Sequence, residues 1–264
     1  MSFPLSTHQL TPPDFSIITI HDGSGEPPDL LPRAIASLVD QQSIKSEQIL
    51  QHLGGVSNLW NKLSKELQLS KRTPHYTLRL LEEKNSPFHE ALQRATTRVT
   101  GSFVGFLQPE EEYLPGTLIA VEKYFKAHPE IDILFTGALL QDEVTKKTTP
   151  QPALPLSLEY LWTAHPLILP GTLFVRASLF KKDFPFNPAY QELMFQEWLL
   201  RVLQKGKKAG ALNTATIRTS ALSSAQKSHT RLALPPPPPW IKLLTPWWKL
   251  RYWYLFKVAI QKNG

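Results

Sequence analysis

Residues 100–118 read Thr100-Gly101-Ser102-Phe103-Val104-Gly105-Phe106-Leu107-Gln108-Pro109-Glu110-Glu111-Glu112-Tyr113-Leu114-Pro115-Gly116-Thr117-Leu118. Ser102 to Leu107 is a short apolar run, as expected of a buried strand. Three carboxylates, Glu110, Glu111 and Glu112, follow as an acidic turn. Pro115 and Gly116 punctuate the chain, and Gly116 to His128 has helical spacing that Pro129 stops. One short stretch therefore carries a strand, an acidic turn and the start of a helix.

The same alternation extends outward in both directions. Phe88 to Val99 precedes the stretch as a helix, and Ile131 to Phe135 follows it as a strand. Further back, Phe15 to Ile20 is a β-branched run, and His21 to Gly25 forms a loop after it. Leu31, Ala34, Ile35, Leu38 and Val39 then fall at helical spacing, with Pro32 in the early turn that tolerates it. Gln48–His52 and Tyr76–Leu81 read as two more strands, and Ser57–Leu69 between them as an amphipathic helix. Strands alternating with helices imply βαβ units and a mainly parallel sheet. Beyond residue 140 the signals weaken. Residues 141–156 read as a polar connection, Gly171 to Val175 as a strand, Glu192 to Leu203 as a helix, and residues 213–231 as a loop or weak strand.

The chain has 264 residues, of which 42% are hydrophobic and 10% aromatic, which fits a globular protein. It has no cysteine, so disulfides and thiolate chemistry are excluded. Residues 1–11 lack the basic and apolar regions of a secretory signal, and no run of about 18 apolar residues predicts a membrane span. The cytoplasm is the expected compartment. The net charge of +7 is uneven: the last acidic residue is Glu197, and twelve of the 29 Lys/Arg lie beyond it. The remaining 17 face all 22 acidic residues, so an acidic body, at −5, carries a basic tail. Such a tail points to an anionic partner.

Three segments, in order and spacing, resemble family 2 glycosyltransferases of the GT-A fold. The first is Phe15–Ile20 with the helix closing on Ser37-Leu38-Val39-Asp40-Gln41, similar to the family's Ser-Leu-x-x-Gln. The second is His89 to Ala95 with Thr100 to Leu118, similar to its Ala-Thr-Gly-(apolar)-Phe-Leu-Asp-x-Asp-Asp-x-Tyr-x-Pro-Gly block. The third is Leu169 to Arg176 followed by Gln196 to Arg201. The resemblance covers about residues 14–205 and implies an α/β, GT-A-like fold: a mainly parallel sheet flanked by helices. It divides the chain into an arm at 1–13, a domain at 14–225, a Pro-rich linker at 226–239 and an aromatic-basic helical extension at 240–264.

What the resemblance implies about chemistry is transfer of a sugar from a nucleotide-sugar donor, UDP-linked by expectation, to an acceptor hydroxyl. A divalent cation, Mg²⁺ or Mn²⁺, would neutralise the leaving diphosphate, and a separate carboxylate would deprotonate the acceptor. The Asp-x-Asp position reads Gln108-Pro109-Glu110. That makes Glu110 the candidate metal ligand and Gln108 a donor-side residue, the alternative being a solvated acidic turn. The Asp-Asp-Gly-Ser turn aligns with Leu53-Gly54-Gly55-Val56, so both of its acids are gone. Thr19, His21 and Asp22, at the end of the first strand and in the loop after it, are the remaining donor-binding candidates, although His21 and Asp22 read equally as turn residues. Glu197 is the candidate base over Glu192. An ion pair with Arg201, four residues on, explains Glu197 as well. His165 and Arg176 lie on the acceptor side. The loss of carboxylates keeps a second reading open, that of an inactive GT-A scaffold or partner-binding subunit.

Residues 240–264 hold four of the seven tryptophans beside five basic residues. Trp and Tyr favour the headgroup region, and Lys and Arg attract anionic lipid. The expectation is a helix lying on a membrane surface. That would suit a peripheral enzyme at the inner face of the membrane, acting in cell-surface polysaccharide or glycolipid synthesis. Packing on a protein partner is the alternative, and nucleic acid is not expected.

Overall fold

The computed structural model describes residues 12–220, apart from 23–28, 55–73, 84–85, 143, 154–156, 165–167 and 183–184. The helix expected at 57–69, the linker and the tail lie outside the described residues.

Nine strands of the described residues form one sheet. They are β1 Phe15–His21, β2 Ser46–His52, β3 Tyr76–Glu82, β4 Phe103–Phe106, β5 Glu111–Tyr113, β6 Ile133–Gln141, β7 Thr148–Gln151, β8 Leu173–Arg176 and β9 Ala209–Ser220. The spatial order is β3-β2-β1-β4-β8-β6-β9-β5, and β7 pairs with β6. β1, β2, β3 and β4 run parallel. β8 is antiparallel to both β4 and β6, so β6 points the same way as β1 and β4, and β9 is parallel to β6. Helices α1 Leu30–Val39, α2 Phe88–Thr96, α3 Thr117–Ala127, α4 Leu158–Ala164, α5 Ser178–Lys182 and α6 Met194–Gln204 connect the strands.

Both faces of the sheet are buried, which explains why β1 reads as a continuous apolar run. One core joins Ile18, Ile20, Ile49, Phe106 and Trp198. The other joins Phe15, Ile17, Leu38, Tyr76, Phe125 and Phe174. Phe106 meets Phe180, Phe186 and Phe195 edge-on, the geometry that aromatic quadrupoles favour.

The quoted motifs prove to be joints. Gln41 is buried and donates to the carbonyls of Ser37 and Leu114, at 3.1 and 3.0 Å. Its Oε1 accepts from the Leu118 N–H at 3.2 Å, inside the first turn of α3, where backbone donors lack helical partners. Ser37 Oγ accepts from the Tyr113 N–H at 3.0 Å. The Ser-Leu-x-x-Gln pattern thus fastens α1 to β5 and α3. On the other face of the sheet, Glu47 Oε1 accepts from Ser16 Oγ at 2.5 Å and from Thr100 N–H and Oγ1, both at 2.8 Å. Arg79 donates to Glu47 Oε2 at 3.0 Å. Burial pushes the Glu47 carboxyl up, but the bonds from Ser16, Thr100 and Arg79 outweigh it and hold it below the ordinary carboxylate range.

Three expectations are corrected. Residues 141–156 are not simply a connection, because Thr148–Gln151 returns as β7 in a hairpin with β6. Residues 209–220 form a twelve-residue strand, sheltered between β6 and β5, where a loop or weak strand was expected from 213 onward. The acidic turn also holds a strand, β5, which pairs with the far end of β9.

Candidate functional site

The strands β1, β2, β3, β4 and β6 all end at one edge of the sheet. The order reverses between β1 and β4, since β2 and β3 lie to one side of β1 and β4 to the other. Open α/β sheets bind ligands at such a point, outside the carboxyl ends of the strands. Here that rim carries His21, the last residue of β1, with Asp22 after it; His52, the last of β2, with Gly54 after it; and Gln108 and Glu110 after β4. Five of the six predicted site residues thus belong to two adjacent segments: Thr19, His21 and Asp22 at the end of β1, and Gln108 and Glu110 after β4.

Their surroundings differ. Thr19 is fully buried one step inside the rim; its Oγ1 accepts from Gln48 Nε2 at 2.9 Å, and Tyr76 OH donates to Gln48 Oε1 at 2.5 Å. Its hydroxyl is part of the sheet's internal polar row. Asp22 is exposed, whereas Gln108 is buried.

The three glutamates diverge. Glu111 is 2% exposed. Its carboxylate accepts the Gln108 N–H at 2.8 Å and the Gly171 N–H at 3.2 Å, tying the end of β4 to the turn before β8. A Cβ at Gly171 would lie 2.7 Å from Glu111 Oε2, so only glycine lets the carboxylate in. Glu112 is paired with Arg33 and, at 3.8 Å, with Arg218. Glu110 is half-buried in the turn. Among the described residues, no group of three His, Cys, Asp or Glu converges on a metal position. A Mg²⁺ ion commonly rests on one or two carboxylates plus substrate phosphates. One carboxylate fits that pattern only if the phosphates and water supply the other ligands.

Sequence reading missed His52. Gly54 has φ of +105°, which favours glycine. His52 is in register with His21, and the two Nδ1 atoms are 3.0 Å apart. The ring centroids are 5.1 Å apart with planes inclined by 22°. The centroids are farther apart than the nitrogens by nearly two ring radii, so the rings meet edge to edge. Each ring is 3% exposed. Burial, then the neighbouring His52, push the His21 imidazole below its ordinary range, and Asp22 opposes them. A single residue at a strand end gives no signal in sequence; register alone reveals the pair.

The acceptor-side candidates are placed separately. Glu197 sits buried in the first turn of α6, and both its oxygens are taken by Arg201, Nε at 2.7 Å and Nη2 at 3.1 Å. Arg201 also donates to the Pro185 carbonyl at 2.7 Å. The structure ties Glu197 to its own helix, not to the β1–β4 rim. Arg176 is neither a diphosphate ligand in this arrangement nor a solvated rim charge. It donates to the carbonyls of Ile131, Phe125 and His128, at 2.8, 2.9 and 3.3 Å, and lies over the Phe125 ring. It caps the C-terminal end of α3, where a cation suits the dipole. His165 lies outside the described residues, as does the Glu192 side chain. A cavity of about 270 Å³ opens at the end of β6, lined by Gly137, Leu139, Pro150, Gln151, Asn213 and Thr214 among others. It shares the sheet edge with the rim at the β1–β4 reversal.

No protein-family profile matches the sequence, and no curated protein matches it. Solved structures do match. Residues 1–349 of TarS from S. aureus superpose with a TM-score of 0.60 at 16% identity, covering 80% of this chain and 62% of that one. The fold is GT-A-like. The TarS fragment in complex with UDP-GlcNAc gives 0.59 at 16% identity, covering 83% of this chain and 62% of that one. The mannosyltransferase PcManGT of Pyrobaculum calidifontis, solved with GDP-Man and Mn²⁺, gives 0.58 at 14% identity over 80% of this chain and 57% of that one. The chain spans about 62% of the TarS fragment, less than two thirds of its length.

Proposed function

We propose that the chain is a glycosyltransferase that moves a sugar from a nucleotide-sugar donor, UDP-linked, to an acceptor at a membrane surface. The observation that carries this reading is the rim at the β1–β4 reversal in a GT-A-like sheet, where the neighbouring strand ends carry His21, Asp22, His52, Gln108 and Glu110. Solved neighbours of that fold hold UDP-GlcNAc, and GDP-Man with Mn²⁺. His21, Asp22 and Gln108 border the nucleoside, and Glu110 holds the Mg²⁺ or Mn²⁺ ion. Such an ion supplies a positive charge against the leaving diphosphate. Thr19 supports the rim from within through its bond to Gln48. Glu197 takes the acceptor proton, with Arg201 fixing the orientation of its carboxylate. The acceptor enters along the same sheet edge, past the cavity at β6.

Residues 240–264 hold the protein at anionic lipid, on the inner face of the membrane, where a lipid-linked or cell-surface acceptor is delivered. Among the described residues, no helix is long and apolar enough to cross a membrane. Two variants test the reading. Glu110→Gln should abolish Mn²⁺-dependent donor hydrolysis and transfer, and deletion of 240–264 should abolish co-sedimentation with anionic liposomes. Unchanged turnover in the first, or unchanged sedimentation in the second, sinks the corresponding part.

One observation favours a second reading, an inactive scaffold or partner-binding subunit: both oxygens of Glu197 are held by Arg201. In that case Glu110→Gln and Glu197→Gln leave partner binding intact, and no donor is turned over.

A further inference from the structure

We propose that the cavity beside the break in the β6–β9 ladder is a saccharide subsite, which takes one uncharged sugar ring of the acceptor. It rests on the transferase reading above, whose acceptor it assigns to a neutral carbohydrate.

The ladder itself makes the cavity. Thr136 faces Leu212, Gly137 faces Ala215 and Ala138 faces Ile217, so two steps along β6 are matched by five along β9. The surplus residues are Asn213, Thr214 and Thr216. Such bulges re-aim side chains and cluster beside active sites. Thr216 turns inward, its Oγ1 lying 2.5 Å from Thr136 Oγ1. Asn213 and Thr214 are exposed. β7 returns against the same place. A Cβ at Gly137 would lie 2.9 Å from the Gln151 carbonyl oxygen and 3.2 Å from that of Thr214, so only glycine lets the two backbones close around it.

The lining selects the ligand. Among the described residues, none that lines the cavity is ionisable. A phosphate or carboxylate would lose hydration there without meeting a counter-charge. Gln151 and Asn213 each bring an amide, a donor beside an acceptor, and Thr214 brings a hydroxyl. Vicinal sugar hydroxyls offer the matching pairs. Among the described residues neither amide has a hydrogen-bond partner, whereas those of Gln41 and Gln48 are both used by the fold. Pro150 and Pro152 add apolar walls for the C–H face of a ring. The volume, about 270 Å³, is just under the roughly 300 Å³ at which drug-sized sites begin, so it suits one ring and not a chain.

A row of hydrogen bonds fixes the cavity relative to the end of β4. Glu111 accepts from the N–H groups of Gln108 and Gly171. The next residue, Thr172, accepts from Thr136 Oγ1 at 3.2 Å, and Thr136 meets Thr216. Gly105 and Leu134 both face Phe174 on β8, and Gln108 and Gly137 each lie three residues further on. Two strand spacings, about 10 Å, therefore separate Gln108 from Gly137 across the sheet. The transferred sugar fits between a diphosphate at the first and an acceptor ring at the second.

The test is saturation-transfer NMR on the full chain with methyl mannoside, methyl glucoside and methyl N-acetylglucosaminide, and with glycerol phosphate as the charged control. At least one glycoside should bind at millimolar concentration, and glycerol phosphate should not displace it. Asn213→Ala and Gln151→Ala each remove one amide and should weaken that binding about fivefold or more. Their melting temperatures should stay within about 2 °C of the wild type. The two residues lie on different strands, so either variant serves if the other does not fold. No transfer from any of the glycosides, displacement by glycerol phosphate, or equal affinity in the wild type and the folded variants overturns the subsite. If a glycoside binds and the variants lose it, but no nucleotide binds with or without Mn²⁺, the transferase reading fails and the carbohydrate site stands. If a nucleotide binds and no glycoside does, the subsite fails and the transferase reading stands.

Discussion

Replacing Glu47 by Gln removes one charge from the buried joint between β1, β2 and the Thr100 turn. In the wild type Oε1 receives three bonds, from Ser16 Oγ, Thr100 N–H and Thr100 Oγ1, while Oε2 receives Arg79. An amide can keep its oxygen towards Ser16 and Thr100, but its NH₂ then faces the Arg79 guanidinium, donor against donor. The lost bond is charge-assisted, a type whose removal costs about 1.5–3 kcal/mol. The Arg79 side chain is 36% exposed, so water recovers part of this and the lower end, about 1.5 kcal/mol, is expected. Glu47→Ala strands all the donors and should cost about 3–5 kcal/mol. The pH dependence carries the sign. Glu47 is held below its unfolded value, so its contribution is full above about pH 4.3 and disappears as pH falls through the folded value. Urea unfolding followed by circular dichroism at several pH values reads both effects. The wild type should lose stability on acidification through this window, and Glu47→Gln should start lower and fall less steeply. Equal stability at neutral pH, or parallel pH profiles, refutes the assignment of the joint to the Glu47 charge.

Three other outcomes follow from the same geometry. Gly171→Ala puts a methyl group 2.7 Å from Glu111 Oε2 and should cost about 1–3 kcal/mol by displacing that carboxylate, read as a lowered melting temperature. Gln41→Ala leaves the Leu118 N–H and the Leu114 carbonyl without their partner and should cost about 1–3 kcal/mol in urea unfolding, whereas a loss within about 0.5 kcal/mol would refute its role as a joint. Arg176→Met keeps the packing over Phe125 but uncaps three carbonyls, and hydrogen exchange should rise at the C-terminal end of α3 before it rises in β1.

The first half of the fold was legible because its strands are buried on both faces and its helices on one. Period and apolar content then agree, as in Phe15–His21 followed by Leu30–Val39. β9 was illegible for the opposite reason: Asn213, Thr214 and Thr216 give no apolar alternation, and the strand owes its existence to pairing with β6 and β5. Of the three neighbouring glutamates, the sequence offers no means to see that Glu111 alone turns inward. That depends on Gly171, sixty residues away, presenting its N–H and making room. The candidates at the ends of β1 and β4 were legible as neighbours, because the resemblance orders the strands and the sheet sets β1 beside β4. Their chemistry was not, because His52 acquires its meaning only from its register with His21.

The most direct test of the central claim is isothermal titration of the full chain with UDP and with GDP, each in Mn²⁺ and in EDTA. The account predicts saturable binding of one nucleotide, strengthened by Mn²⁺ and lost in Glu110→Gln. No heat and no change in melting temperature with either nucleotide at millimolar concentration, with or without metal, would contradict it.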